Sequence, residues 1–275
     1  MTAFADLPEA RATGRIAEIY REIRVYCAVP YVSSLQRQLA TVPGCLEWLW
    51  IAVRPAMIDG RIPEAAWRAT AELDLPRLPA VPRPALRVLG VGPEDERTLD
   101  GIYLTFLRAS PVNMVMASLL KHLLTAEPAG APAALSPQSP DWMPPAAPPP
   151  LPGIPRDADL APEVRALVGL FSVDMGGATF VPGLYRLLAH WPAYLAHVAA
   201  GLLPLFASPD IRRACRDVEA RIDAIVPAFA ADLAAPLPPF ERATGAAILS
   251  SLDTYRGTSP QMIVFSAMLR AALPR

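Results

Sequence analysis

"RQLATVPGCL" spans Arg37–Leu46 and "RLLAHWPAYL" spans Arg186–Leu195, with Arg, Leu, Ala, Pro and Leu at the same places in both. A shift of 149 residues aligns much more than these ten positions. It brings Val32 onto Val181, Leu35 onto Leu184, Pro55 onto Pro204, Thr105 onto Thr254, and Ser110–Pro111 onto Ser259–Pro260. No gap is needed between Val32 and Leu124. Two copies are too few for a solenoid. Two related units pack about a local two-fold axis as a homodimer does, so the expected architecture is a pseudo-dimer of two tandem repeats.

Upstream, Ile16, Ile19, Tyr20 and Ile23 have the spacing of one helical face. Val164, Leu167, Val168 and Phe171 repeat that spacing, with one extra residue entering the loop that follows. "SPDIRRACRDVEARI" offers Ser208 as an N-cap and Pro209 at the first helical position. "GPEDERTLDGIYLTFL" places acids in a first turn, where they suit the positive end of a helix, with Leu99, Ile102, Tyr103 and Phe106 as the apolar face. Ser110–Pro111 and Ser259–Pro260 read as starts of further helices. Nothing alternates with period two, so the predicted class is all-α.

Between the copies, residues 125–162 hold twelve of the chain's 33 prolines. Proline fixes φ and removes a donor, which makes this stretch an extended connector or, alternatively, a ligand for an SH3-like domain. The predicted division is a first helical repeat at 1–124, a Pro-rich linker at 125–162 and a second repeat at 163–275.

The 275 residues carry 25 bases and 26 acids with no basic stripe, which argues against nucleic acid as a partner. Hydrophobic residues make up 53% of the chain, but its longest uncharged run, Leu187–Pro209, contains Pro192, Pro204 and two histidines. A bilayer span needs about 20 predominantly apolar residues, so this run reads as two buried helices and no membrane partner is expected. The first residues, "MTAFADLPEARATGR", lack the apolar core of a secretory signal. Cys27, Cys45 and Cys215 are scattered and odd in number, which fits a reducing cytoplasm. No metal site is expected: Pro192 separates His190 from His197, no acid or cysteine completes a set, and His122 suits a helix C-terminus.

The pattern Ile-Tyr-x-x-Ile, Val-Pro, Arg-x-Leu-Ala-x-x-Pro-x-x-Leu, then Trp and Pro stands here as "IYREIRVYCAVPYVSSLQRQLATVPGCLEWLWIAVRP" and "LYRLLAHWPAYLAHVAAGLLP". It resembles the DehI family of group I DL-2-haloacid dehalogenases, which is related to the alkylhydroperoxidase-like helical proteins. The resemblance implies an all-helical pseudo-dimer with its site near the interface of the repeats. It also implies hydrolysis of small 2-haloacids without a cofactor, with a small carboxylic acid as ligand; a homodimer is compatible with it. In that family an aspartate of the second repeat activates water, and an asparagine of the first repeat holds that water. The aspartate's place, anchored on Trp191–Pro192, falls on Leu184, and no Asp or Glu lies between Asp174 and Asp210. The asparagine's place falls within Phe106–Pro111, where Leu107 and Ser110 stand, with Asn113 close but off register.

The candidate site residues follow from the same comparison. Arg37 and Arg186 would hold a carboxylate through a guanidinium fork or, as a symmetric pair, serve the scaffold. Ser110 and Ser259 would cap helices or, through free N–H groups, bind an anion. Tyr31, Ser33 and Ser34, with Phe180, Pro182 and Gly183 of the second copy, would line a mostly apolar pocket or an interface between repeats, and Leu184 and Asn113 are carried as further substrate-binding candidates. Asp174 is a turn residue and the outside candidate for a general base; no other catalytic residue is assigned. The readings left open are a cofactor-free hydrolase, an inactive binder of small carboxylates, and an interaction protein using the proline connector.

Overall fold

A 33-residue helix and a 31-residue helix run through the middle of the protein. The computed structural model describes residues 6–125, 141–174, 179–233 and 240–274. In chain order the helices are α1 (Gly14–Tyr26), α2 (Ser34–Leu39), α3 (Cys45–Ile58), α4 (Arg61–Ala71), α5 (Arg83–Val88), α6 (Pro93–Thr125), α7 (Pro162–Gly169), α8 (Gly183–Leu188), α9 (Pro192–Leu202), α10 (Pro209–Ala231) and α11 (Arg242–Ala272). The fold is all-α. The one departure among the described residues is a two-residue antiparallel pairing of β1 (Val173–Asp174) with β2 (Thr179–Phe180). The 149-residue shift carries both ends of α2 onto those of α8, and the start of α6 onto that of α11.

The two long helices pack along each other. Arg270, near the end of α11, pairs with Asp100 in the first half of α6 at 2.7 Å, and Lys121, near the end of α6, pairs with Asp253 of α11 at 2.6 Å. The helices are therefore antiparallel. Every residue of α6 from Pro111 to Leu120 is buried, as expected of a helix enclosed on all sides.

Ser110–Pro111 and Ser259–Pro260 are not helix starts. Pro111 lies inside α6 and Pro260 inside α11, all four residues buried. An interior proline costs about 3 kcal/mol in a helix. Each large side chain buried around it returns about 1.5–3 kcal/mol, and Val112, Met114, Val115 and Met116 are all fully buried. Tertiary burial thus overrides the local preference. The predicted helical faces are largely kept: Ile19, Tyr20, Ile23, Leu99, Ile102, Tyr103, Val168 and Phe171 are buried. Ile16, Val164 and Leu167 are half-buried. α10 begins at Pro209 with Ser208 before it, but the serine side chain makes no capping bond.

α1 ends in a turn in which Ala28 takes φ 52 and the Val29 N–H donates to Arg24 O at 3.0 Å. This is a Schellman closure in which alanine takes the place usually held by glycine. Arg108 of α6 donates to Ala28 O and to Ala146 O, tying that turn to the linker. The described part of the linker lies along the helices. Trp142 covers Gly60, where an added Cβ would meet the indole at 2.3 Å, and donates from Nε1 to Glu64 at 3.1 Å. Gly153 O is bonded to His190 Nε2 at 2.8 Å, and Ile154 sits over Gly183. No described helix is long and apolar enough to cross a membrane. Among the described residues no group of His, Cys, Asp or Glu could hold a metal ion.

Candidate functional site

Ser33 and Gln36 open α2 with the S-x-x-Q spacing of a capping box, yet the serine makes no bond to the helix backbone. Its hydroxyl donates to Gln36 Oε1 at 2.6 Å. Gln36 Nε2 donates to Asn113 Oδ1 on α6, and Asn113 Nδ2 donates back to Ser33 Oγ at 2.8 Å. The result is a closed ring of three buried polar side chains, each donating to the next. Buried polar groups must be paired, and this ring pairs its own members while leaving spare protons on the two amides. One of Gln36's reaches Met116 Sδ at 3.8 Å.

Tyr255 of α11 completes the cluster from the other half of the chain. Burial raises the pKa of its hydroxyl, while hydrogen bonds with Ser259, Asn113 and Ser33 pull it down. Tyr31 lies beside it. Its pKa is also raised, first by burial and then by Tyr255, with the Arg37 guanidinium acting in the opposite sense. Tyr31 packs on Phe106 with ring centroids 6.4 Å apart, and an added Cβ on Gly183 would lie 3.8 Å from Phe106. Cys27 is buried close by, and desolvation pushes its thiol up to about 12, so it stays protonated and is a poor nucleophile.

The site is thus made of hydroxyls, amides and aromatic faces. The acids nearest Tyr31 are already engaged: Glu9 accepts from Val32 N at 2.7 Å and from Arg24, and Asp6 pairs with Arg37 at 2.8 Å. Arg37 nevertheless keeps a buried Nε without a hydrogen-bond partner among the described atoms.

Of the predicted site residues, Tyr31, Ser33 and Asn113 come together, with Arg37 at the edge and Gly183 facing Phe106. Ser34 is half-buried in the first turn of α2. Ser110 is buried inside α6, and Ser259 Oγ donates to Tyr255 O at 2.7 Å. Neither serine opens a helix, so the anion-binding reading of these positions is withdrawn. Leu184 is fully buried on α8. Phe180 is exposed on β2, and Asp174 is paired through β1 with Thr179. Arg186 has no counterpart of the Arg37–Asp6 pair among the described residues, so the two arginines have unlike surroundings despite their equivalent positions.

Sequence reasoning missed Gln36 and Tyr255. The S-x-x-Q spacing pointed to the first, and the shift, which sets Tyr255 against Phe106, pointed to the second. The same shift sets Gln36 against Tyr185 and Asn113 against Met262. The second copy therefore has an aromatic cluster where the first has its polar ring. Tyr185 stacks on Phe171 at 4.1 Å, beside Phe206, which in turn stacks on Phe265.

No known family profile matches the chain, and no curated protein is similar to it in sequence. Solved structures do match. A mutant D-2-haloacid dehalogenase superposes with a TM-score of 0.73 at 17% identity over 98% of this chain and 96% of that one. A D-2-haloacid dehalogenase mutant in complex with D-2-CPA gives 0.71 at 18% identity over 97% and 96%. A D-2-haloacid dehalogenase with L-LA gives 0.65 at 18% over 98% and 94%. The chain has the fold of these dehalogenases, as the resemblance of its repeated motif implied.

Proposed function

We propose that the chain is a haloacid-dehalogenase-like protein that takes a small 2-substituted carboxylic acid between two related halves, and that it holds this acid without a carboxylate on α8 to drive hydrolysis. The halves, 1–124 and 163–275, pack as a pseudo-dimer joined by the Pro-rich linker at 125–162. What supports the pseudo-dimer is crossed packing: α2 of the first half lies on α11 of the second, and α8 of the second lies on α6 of the first.

The observation that carries the binding reading is the Ser33–Gln36–Asn113 ring met by Tyr255 from the opposite half. A carboxylate placed there would accept from the Tyr255 and Tyr31 hydroxyls, and Phe106 would pack its apolar substituent. Charge-assisted bonds of this kind are about twice as strong as neutral ones. The alternative reading, a contact surface between repeats, leaves the buried Arg37 Nε without a purpose.

A second reading is a cofactor-free hydrolase, favoured by the shared fold with D-2-haloacid dehalogenases. Water oxygen would bond to C2, the carbon–halogen bond would break with its electron pair leaving as halide, and a base would take the water proton. Asp174 is the acid nearest in sequence to Leu184, the place the resemblance gives to that base.

Incubation with each enantiomer of 2-chloropropionate, with halide assay and thermal shift in parallel, separates the two. Stabilisation without halide release is expected. Release would establish the hydrolase, and a flat response in both assays would remove the small-acid site. The unpaired thiols, two of them buried, agree with a cytoplasmic setting.

A further inference from the structure

Three residues of the linker lie over three glycines. Trp142 lies on Gly60 ahead of α4, Pro148 on Gly101 of α6, and Ile154 on Gly183 of α8. The first two glycines precede the linker in the chain and the third follows it, so this stretch is a strap from one part of the fold to the other. Hydrogen bonds fix it between those points. Arg108 Nη1 donates to Ala146 O at 2.7 Å, and Gly153 O is bonded to His190 Nε2 at 2.8 Å. Pro149, Pro150, Pro152 and Pro155 stiffen the chain on either side of Leu151 and Gly153.

The strap reaches the seam cluster at Ile154. Phe106 packs on Tyr31 with ring centroids 6.4 Å apart. The tip of the Phe106 ring, Cζ, lies 3.8 Å from the point where a Cβ on Gly183 would stand, and Ile154 Cδ1 lies 3.7 Å from the same point. A group seated against Tyr31 and laid along Phe106 therefore runs out toward Ile154. Gly183 is half-buried and Ile154 is 43% exposed, which puts this meeting point at the rim of the cluster.

We infer that Ile154 sets the length of the C2 substituent that the seam site accepts, an inference that rests on the small-acid site proposed above. The linker then supplies a wall of that site as well as a connection. A methyl group stays on the face of Phe106. A butyl chain passes the ring tip and meets the Ile154 side chain. The prolines and the two carbonyl bonds keep the strap from yielding to it. An apolar wall of this kind discriminates by about 10–200-fold per methylene.

The test is calorimetric titration of the full chain with 2-chloropropionate and with 2-chlorohexanoate of the same hand, read as the ratio of the two dissociation constants. Wild type should prefer the shorter acid. Ile154→Ala should shift the ratio about tenfold or more toward the longer acid, and Ile154→Trp should move it the other way. Met143→Ala, at a strap residue that is 79% exposed, should leave the ratio unchanged. The same ratio in wild type, Ile154→Ala and Ile154→Trp would overturn the inference while the small-acid site stands, and so would an equal shift in Met143→Ala. No saturable binding of either acid by wild type or any variant would overturn the small-acid site and this inference together.

Discussion

Asn113 and Tyr255 stand on different long helices, one from each half of the chain, and meet at the seam, where Asn113 is among the groups that pull the Tyr255 hydroxyl pKa down against burial. The contact joins two segments that the 149-residue shift does not set on like residues. The shift pairs Asn113 with Met262 and Tyr255 with Phe106, so the matching positions carry apolar side chains. A site with one polar and one apolar side suits an asymmetric ligand such as a 2-substituted acid.

Asn113→Ala opens the ring, leaving Gln36 Nε2 with only the weak Met116 sulfur acceptor and Ser33 Oγ without its donor in a buried setting. An unsatisfied buried group costs about 1–3 kcal/mol, so the urea midpoint should fall accordingly with the slope unchanged. Response to 2-chloropropionate in thermal shift should be lost. Full stability with full response would show that the ring neither supports the fold nor meets the ligand.

The two buried tyrosines Tyr103 and Tyr185 should respond in opposite directions. Tyr103 and Tyr194 bond hydroxyl to hydroxyl at 2.9 Å, so Tyr103→Phe leaves Tyr194 unpaired and should cost about 1–2 kcal/mol. The Tyr185 hydroxyl is buried with no partner among the described atoms. Tyr185→Phe keeps the stack on Phe171 and should raise stability by about 1 kcal/mol. Thermal or urea unfolding reads both, and a loss in both would show a hidden partner for Tyr185.

These contrasts also mark what the sequence could disclose. Helical faces such as Ile19–Tyr20–Ile23 follow from periodicity, and the repeat places α2, α8, α6 and α11 because copies of one sequence meet the same packing. Pro111 and Pro260 misled because local preference is small against burial inside paired helices. Gln36 was hidden because S-x-x-Q usually serves the backbone, and only the approach of α6 turns it inward. Asn113 fell off register because its partners, Ser33 and Gln36 at the start of α2, lie 80 and 77 residues away. Contacts of that range leave no periodic trace.

Acid should weaken the protein through Glu22. Its pKa is lowered from 4.5 to about 2, first by the Arg54 hydrogen bonds and, against some burial, by Trp50. A carboxylate depressed in the folded state stabilises above its unfolded pKa and loses that stabilisation as pH falls toward the folded one. The loss should therefore develop between pH 4.5 and about 2. Arg54 is well exposed, so solvent screening reduces the contribution to about 1–2 kcal/mol. In Glu22→Gln, stability at pH 7 should drop by that amount and this part of the acid limb should flatten. An unchanged pH profile would show the pair to be without net effect.

Gly183 and Leu184 offer a direct test of what α8 lacks. Leu184 is fully buried among apolar neighbours, so Leu184→Asp buries an unpaired charge and should unfold the protein. Gly183 opens α8, and a Cβ there would meet only Ile154 at 3.7 Å and Phe106 at 3.8 Å, both ordinary contacts. Phe106 in turn packs on Tyr31, which places a new side chain beside the seam cluster. Gly183→Asp should fold, since an acid suits the first turn of a helix, and it would add a carboxylate next to the proposed ligand. A positioned general base is worth about 10²–10⁴-fold, so halide release from 2-chloropropionate should rise from background in this variant. Adding Asn113→Ala to it should remove the gain. A folded Gly183→Asp protein that binds the acid and releases no halide would show that a carboxylate at the start of α8 is not sufficient for release.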